Sequence, residues 1–167
     1  ANPARFLSTK YLALRSVRKE VITLALIKLA TTDPDAAIEQ LKGKWAPQLT
    51  AEERNWIWGV IGKQAATRLS DAAPSHFANV TRDTDLNDEL LGWKVRAALR
   101  QRQWPAVLEA TRAMSEEGRA DPTWVYWRAR ALLAVRAAGG GPARRGGRTR
   151  PRRAGASSGR AGRWRRG

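Results

Sequence analysis

Four local signals for the start of a helix recur along the chain and constrain its fold more than any other feature. Asp33-Pro34 and Asp121-Pro122 each place a carboxylate, which can accept orphan backbone N–H bonds, before a proline whose fixed φ suits the first helical position. Thr50 and Glu53 have the spacing of a reciprocal capping box, and Trp104-Pro105 repeats the proline start. Together with the helical period of the apolar residues between them, these signals predict about six helices joined by short turns.

The segment from Arg15 to about Thr32 contains neither Pro nor Gly and has apolar residues on two helical faces. One face carries Val17, Val21, Leu24 and Ile27, and the other carries Ile22, Leu26 and Leu29. A helix that is apolar on two sides is typical of layered helix pairs, in which it lies between neighbours. We therefore expect both faces of this helix to be buried.

Further helices are predicted over 34–41, over 51–69, from Thr84 or Asp85 onward, over 104–118 and over 122–135. Gly43 is placed to end the first of these in a left-handed C-cap, whereas Gly59 and Gly62 permit the close approach of a neighbouring helix. Residues 70–84 form the least regular part of the body. The expected inward positions are Trp58, Ile61, Ala65, Leu69, Leu86, Leu90, Trp93, Ala97, Leu108, Thr111 and Met114.

These patterns predict an all-α fold, because no alternating run is long enough for a strand. Helices joined by short turns pack antiparallel, which predicts a stack of αα-hairpins over residues 1–135. The two-sided helix favours an open superhelix, an α-solenoid like that of tetratricopeptide repeats, over a compact bundle. We find no fixed repeat period in the sequence.

Residues 136–167 have a different composition and are predicted to be a disordered tail. Of the 31 residues from 137 to 167, 27 are Ala, Gly, Arg or Pro, the four residue types with codons whose first two bases are G or C. Such a segment cannot bury a core. It fits either a functional Arg-Gly segment or an out-of-frame translation of GC-rich DNA. The abrupt change after Val135 favours the second explanation, a frameshifted or truncated product.

The tail also dominates the charge of the chain. The formal net charge is +16, and 11 of the 31 basic residues lie in 136–167, which contains no Asp or Glu. Residues 1–135 therefore carry a net charge of only +5. We expect non-specific binding of polyanions by the tail and no specific recognition of nucleic acid.

The side chains that carry most enzyme chemistry are scarce. The chain has no Cys and a single histidine, His76, which excludes thiolate chemistry, zinc sites built on Cys or a His pair, and most Ser–His triads. Adjacent carboxylates occur at 52–53, 88–89 and 116–117, but neighbours on a helix point about 100° apart, so helix capping is favoured over acid–base catalysis. We predict no catalytic, cofactor-binding or metal-binding residue, and no cofactor.

Two other features could carry binding. His76 lies in the irregular segment, where a packing role is favoured over that of a general base. The eight tryptophans could stack on sugars or bases, but most stand at helical core spacing, which favours packing between helices.

No membrane span or export signal is evident. The most apolar run, Val21–Ala30, has about half the length that a span requires and contains Lys28, so we expect a buried helix. The first residues, Ala1-Asn2-Pro3, lack Met and read like the interior of a longer protein.

One ordered set of residues in the second half of the chain is distinctive. It runs Leu90-Leu91-x-Trp93-x-Val95-Arg96-x-Ala98-Leu99-Arg100-x-x-x-Trp104, then Met114, then Trp124-x-Tyr126-Trp127-x-Ala129-Arg130-Ala131-Leu132. This order resembles the helical-superhelix region of soluble lytic murein transglycosylases, where an acidic linker precedes a helix of the Trp-Arg-Tyr-Trp type. The resemblance covers residues 1–135 and is most specific over 86–133; Arg119 and Val125 depart from the family pattern.

The resemblance implies a periplasmic protein of peptidoglycan turnover. Members of the family cleave the β-1,4 bond between N-acetylmuramic acid and N-acetylglucosamine, leave a 1,6-anhydro product, and use one glutamate without a metal or nucleotide. Their hairpins form a ring that helps to hold glycan strands and presents a lysozyme-like catalytic domain. The Glu-Ser, Gly-Leu-Met-Gln and Ala-Tyr-Asn-Ala-Gly segments of that domain do not occur in this sequence.

We therefore expect a scaffold fragment that lacks the catalytic domain and is inactive alone. The competing hypothesis is an independent helical-repeat adaptor whose basic tail binds nucleic acid or another acidic polymer. In either case Trp124 and Trp127 should pack on the helices within 86–117, which leaves the opposite face of their own helix exposed.

Overall fold

The computed structural model describes residues 3–4 and 16–139, and this part of the chain is all-α, as predicted, without a strand. Between residues 16 and 139 it contains eight α-helices. They are α1 (Ser16–Thr32), α2 (Pro34–Gln40), α3 (Ala51–Thr67), α4 (Ala73–Phe77), α5 (Asp88–Arg100), α6 (Trp104–Ala113), α7 (Glu116–Ala120) and α8 (Pro122–Gly139). The tail was predicted to begin at Arg136, but residues 136–139 continue helix α8. The rest of the predicted tail, from residue 140 onward, lies outside the described residues.

Three long helices run parallel, each separated from the next by a return segment. Lys19 in the first turn of α1 pairs with Glu53 in the first turn of α3, with 3.1 Å between Nζ and Oε2. Near the ends of α3 and α5, Ala66 and Ala97 share one apolar cluster. The return helix α6 is antiparallel to α5, because Ser115 at its far end donates its backbone N–H to Asp88 at the start of α5. Helices α5 and α6 therefore form an αα-hairpin.

The fourth helix of this set is α8, which packs mainly on α6. The starts of α3, α5 and α8, at residues 51, 88 and 122, are 37 and 34 residues apart. Stacked helix pairs of the tetratricopeptide kind have a period of about 34 residues. The structure shows this spacing of helices α3, α5 and α8, whereas the superhelix predicted from the sequence stays a prediction.

The caps explain where most helices begin. Thr50 and Glu53 form the predicted capping box, in which each side chain accepts from the backbone N–H of the other residue. The carboxylates of Asp33 and Asp121 cap α2 and α8 as expected, accepting from the backbone N–H groups of residues 36 and 123. The predicted cap of α5 at Thr84 or Asp85 is wrong: Asn87 performs it, and its Oδ1 accepts from the backbone N–H of residue 90 at 2.9 Å.

Two helix ends also differ from the prediction. Gly43 does not end α2 in a left-handed C-cap, because no glycine has positive φ among the described residues and the backbone continues through a π-helical turn, Leu41–Trp45. The helix predicted over 104–118 ends at Ala113. Ser115 then caps the short helix α7 by accepting from the N–H of Gly118, since a Ser side chain competes well for the first free amides of a new helix.

The segment 70–84, which was predicted to be irregular, contains a short helix that one buried aromatic residue holds in place. Helix α4 is only five residues long, yet its last residue, Phe77, is fully buried against α3. A 3₁₀ turn, Asp83–Asp85, then leads into α5. The segment is irregular as predicted, and one aromatic side chain fixes it through tertiary packing rather than through a helical pattern.

The prediction that both faces of α1 are buried is also wrong for the described side chains. Ile22, Leu26 and Leu29 are buried as expected, whereas Val21 is exposed and Leu24 keeps 64% of its surface accessible. Helices α2 and α3 both pack on α1, and the buried residues Ile22, Leu26 and Leu29 form the face that is covered. Most other inward positions are confirmed, among them Leu90, Thr111 and Met114, but Leu69 is exposed.

Leu69 and Arg102 are the two non-glycine residues with positive φ in the described part of the chain, at 57° and 54°. Each follows a long helix and completes a Schellman motif. After α3, for example, the N–H of Ser70 donates to the carbonyl of Ala65. This left-handed position favours glycine, because a Cβ there costs about 1–2 kcal/mol.

We expect Leu69→Gly and Arg102→Gly each to raise the free energy of unfolding by about 0.5–1 kcal/mol, because the strain is relieved. The gain stays below the full strain because glycine also makes the unfolded chain more flexible. Urea unfolding followed by tryptophan fluorescence measures it. Thr67→Gly, in the last turn of α3, is the matched control and should lower stability. Equal loss in all three variants would contradict the strain assigned here.

Candidate functional site

A concave surface lies between the segment 74–84 and helix α6. One cavity of about 220 Å³ and an adjoining one of about 470 Å³ share Val80, Lys94 and Glu109 in their walls. We call this surface the α6 groove. Its floor is apolar where Phe77 and Ala98 line it, and its rim is charged. A groove with this character can bind a ligand that combines apolar and charged groups.

An ion pair crosses the α6 groove. Lys94 on α5 places Nζ 2.5 Å from Oδ1 of Asp83, and the two side chains are only 12% and 15% exposed. Glu109 and Arg112 add one charge of each sign to the walls. Lys94 is therefore already paired with Asp83. The residues that line the two cavities include no Ser, Cys or His. The groove offers recognition by shape and mixed charge, and it contains no nucleophile with an adjacent base.

The adjacent carboxylates have separate structural partners. Glu53 closes the capping box, and Glu89 pairs with Lys63. Asp88 accepts from both the backbone N–H and the hydroxyl of Ser115. Glu116 and Glu117 lie in the first turn of α7. Glu53 has the capping role expected from the sequence, and Asp88, Glu89, Glu116 and Glu117 lie in first turns of helices, where the helix dipole favours negative charge.

The hydrogen bonds of the capping box keep the carboxyl of Glu53 ionised. Its partial burial raises the pKa of the carboxyl, but hydrogen bonds from the Thr50 backbone, from Lys19 and from the Thr50 hydroxyl lower it by more. The net pKa of Glu53 lies below its ordinary value, so the group is a carboxylate at neutral pH. A general acid of a glycan-cleaving enzyme needs the opposite displacement.

His76 is half-buried on α4, and its ring stacks on that of Trp58, with 6.3 Å between centroids and 17° between planes. Burial lowers the pKa of His76; the negative charge of Asp35 opposes this and the positive charge of Lys42 adds to it. Lys42 Nζ also lies 5.5 Å from the centroid of the Trp58 ring. These contacts give His76 a packing role, as the sequence favoured.

The lowered pKa of His76 makes stability depend on pH. Between its folded pKa and the ordinary value near 6.5, the unfolded chain binds a proton that the folded chain does not. The free energy of unfolding should therefore rise with pH through this window and fall as the solution is acidified. Urea unfolding at pH 5 and pH 7 measures the difference.

His76→Phe keeps a ring on Trp58 and removes the titration. We expect the pH dependence assigned to His76 to disappear in this variant, which is interpretable because the chain has one histidine. An unchanged pH profile in His76→Phe would contradict the assignment.

The tryptophans of the body are used mainly for packing. Trp45 and Trp58 are buried, and the other five are half-buried. Arg96 places its guanidinium carbon 5.0 Å from the ring centroids of both Trp93 and Trp124, so one cation bridges two indoles. Trp124 packs on α5 as expected, at Gly92, where a Cβ would meet its ring at 2.9 Å.

Sequence reasoning missed Asn55, a buried polar residue in the middle of α3. Its Nδ2 donates to Asp85 at 2.7 Å, and its Oδ1 accepts from the backbone N–H of Thr81 at 2.9 Å. Arg82 and then Asn55 lower the pKa of Asp85 through hydrogen bonds. The signal in the sequence was an amide at a position that the period of α3 assigns to the core.

Metal and membrane sites are absent from the described residues. No group of three or more His, Cys, Asp or Glu side chains there could hold a metal ion. None of the helices between residues 16 and 139 combines the length and apolar character that crossing a bilayer requires. No protein-family model matches the chain, and no curated protein matches its sequence.

Proposed function

We propose that this chain is the helical scaffold of a lytic murein transglycosylase, an enzyme of peptidoglycan turnover in the periplasm, and that it does not cleave glycan by itself. The observation that carries the proposal is the unit formed by residues 86–133. The residues in which the sequence resembles that family lie on α5, α6 and α8, which pack on one another. A scaffold of stacked hairpins forming part of a ring would hold glycan strands weakly.

The contact of Trp124 with Gly92 supports this proposal. Both residues belong to the stretch that resembles the family, and the indole fits only because position 92 has no side chain. The engagement of the described carboxylate pairs in caps and ion pairs supports the non-catalytic part of the proposal.

Incubation with purified murein sacculi tests the proposal directly. We expect no 1,6-anhydro-muropeptides by chromatography and mass spectrometry, together with weak co-sedimentation of the protein with sacculi. A lysozyme digest of the same sacculi is the positive control for substrate quality. Anhydro products would contradict the absence of catalysis, and no co-sedimentation at low salt would contradict the glycan-holding role.

The alternative function is a helical-repeat adaptor that binds acidic polymers such as nucleic acid. The observation that favours it is the concentration of 11 arginines and no carboxylate in residues 136–167. Binding of a random-sequence DNA duplex, measured against salt, separates the two functions. In the scaffold proposal, binding is weak, resides in the basic residues and is lost at about physiological salt. Binding that persists at this salt concentration, and disappears when the chain ends at Gly139, the end of α8, would favour the adaptor.

A further inference from the structure

The outward face of α8 is apolar although α8 is the last helix of the described stack. Val125, Tyr126, Leu132 and Leu133 are exposed, and Leu133 keeps 64% of its surface accessible. Their spacing places them on one side of the helix, opposite Ala131, which is fully buried. We call this surface the α8 outer face. It has the apolar spacing by which one helix receives another.

The interior helices of the stack do not have such a face. In α5 the residues exposed to solvent are polar or charged, namely Glu89, Arg96 and Arg100. Helix α5 is also covered by its return helix α6, as α3 is by the segment containing α4. The recurrence at intervals of 34–37 residues places a covering helix after each long helix. The α8 outer face is therefore the position at which the next covering helix would pack.

The charge around the α8 outer face is of one sign. Helix α8 contains Arg128, Arg130 and Arg136 and no acidic residue. None of the ion pairs among the described residues involves these arginines. A helix that packs on this face would place its flanks beside guanidinium groups. Carboxylates on those flanks would be favoured, and basic residues would be repelled.

The remaining parts of this chain do not have the required sequence. Residues 1–15 and 140–167 contain no Asp or Glu, and residues 140–167 contain ten Arg. Both segments are basic, so neither can supply acidic flanks to a helix on α8. The acidic flanks expected on this face are therefore supplied by neither segment.

We propose that the α8 outer face binds an amphipathic helix of a partner protein whose apolar stripe is flanked by Asp and Glu. The apolar stripe would cover Val125, Leu132 and Leu133, and the acidic flanks would pair with Arg130 and Arg136. This interaction is independent of glycan binding. It therefore holds or fails separately from the proposed scaffold function.

A synthetic peptide tests the proposal with the full chain. The peptide has about 20 residues, with Leu repeating at intervals of three and four residues and Glu on both sides of that stripe. A scrambled peptide of the same composition has the same charge but no apolar face, so it reports binding by the Arg-rich residues 140–167 alone. Fluorescence anisotropy of labelled peptide gives Kd. We expect the amphipathic peptide to bind at least about tenfold more tightly than the scrambled one.

Leu133→Ser and Leu24→Ser form a matched pair of variants, because both leucines are 64% exposed on long helices. Neither substitution changes the charge. We expect Leu133→Ser to weaken binding of the amphipathic peptide about tenfold, and Leu24→Ser to leave it unchanged. Circular dichroism checks that both variants keep their helix content.

Several results would overturn the proposal. They are equal binding of the two peptides, equal binding by wild type and Leu133→Ser, or the same loss in Leu24→Ser. A concentration-dependent dimer that Leu133→Ser abolishes in sedimentation would identify a second copy of this chain as the occupant instead. Binding to phosphatidylserine vesicles that Leu133→Ser abolishes and the peptide does not compete would identify a membrane surface.

Discussion

Gly62→Ala is expected to lower the free energy of unfolding by about 2 kcal/mol and Tm by about 4–8 °C. A Cβ at position 62 would lie 2.9 Å from three atoms of the Phe77 ring, which is fully buried. The ring cannot retreat without moving α4, because Phe77 is the residue that fixes this short helix. The gain in helix propensity from alanine, about 1 kcal/mol, offsets only part of the overpacking.

Gly43→Ala is the matched control, since it makes the same chemical change at an exposed helical position with no atom within 4 Å. It should be neutral or raise stability by about 0.5–1 kcal/mol. In a Phe77→Leu background, Gly62→Ala should cost less, because the smaller side chain leaves room. Urea unfolding followed by tryptophan fluorescence measures the wild type, the two glycine variants, Phe77→Leu and the double variant. Equal effects at positions 43 and 62 would contradict the close packing of α3 on α4.

Asn55→Ala is expected to lower the free energy of unfolding by about 3 kcal/mol. The substitution leaves the backbone N–H of Thr81 and one oxygen of Asp85 without their partner in a half-buried position. It also opens a cavity in α3, because Asn55 is only 2% exposed. The loss should be largest in the segment 80–88. Hydrogen exchange should therefore show faster opening there than in α6.

Asn55→Asp tests the hydrogen bond to Asp85 more specifically than Asn55→Ala, because it keeps the size of the side chain. It replaces the Nδ2 donor by an oxygen that faces Asp85, so two carboxylates meet where one hydrogen bond existed. The variant should be less stable than wild type at pH 7, and protonation at low pH should relieve part of the difference. Gln48→Ala, which removes an amide at a half-buried position of the return segment, should cost less. A cost below about 1 kcal/mol for Asn55→Ala would contradict the bridging role.

Local chemistry made much of the secondary structure predictable. The capping box at Thr50 and Glu53 and the Asp-Pro starts of α2 and α8 depend on residues within one helical turn, so the sequence reveals them directly. The errors occurred where distant contacts decide the outcome. Asn87 rather than Asp85 caps α5, because Asp85 is held by Asn55 and Arg82, the first of which is 30 residues away in the sequence.

The functional surfaces were less predictable than the helices. The spacing of the adjacent carboxylates predicted that they have separate partners, since adjacent residues on a helix diverge. The α6 groove could not be inferred, because it is formed where the segment 74–84 meets α6, and the partners of Lys94 and Glu109 depend on that meeting. The outward exposure of Leu24 was hidden for the same reason: an apolar period shows that a face can be buried, not that a neighbour is present.

The sequence by itself determined the helices of this protein, the concentration of positive charge after residue 135, and the scarcity of catalytic side chains. Tertiary structure decided the order in which those helices stack. Helices α3, α5 and α8 start 37 and 34 residues apart, but only the contacts of α3 with α5 and of α6 with α8 show how they pack. The physical reason is that caps and periodicity act within a few residues, whereas Gly62 against Phe77, Asn55 against Asp85 and Gly92 against Trp124 bring together residues far apart in the chain.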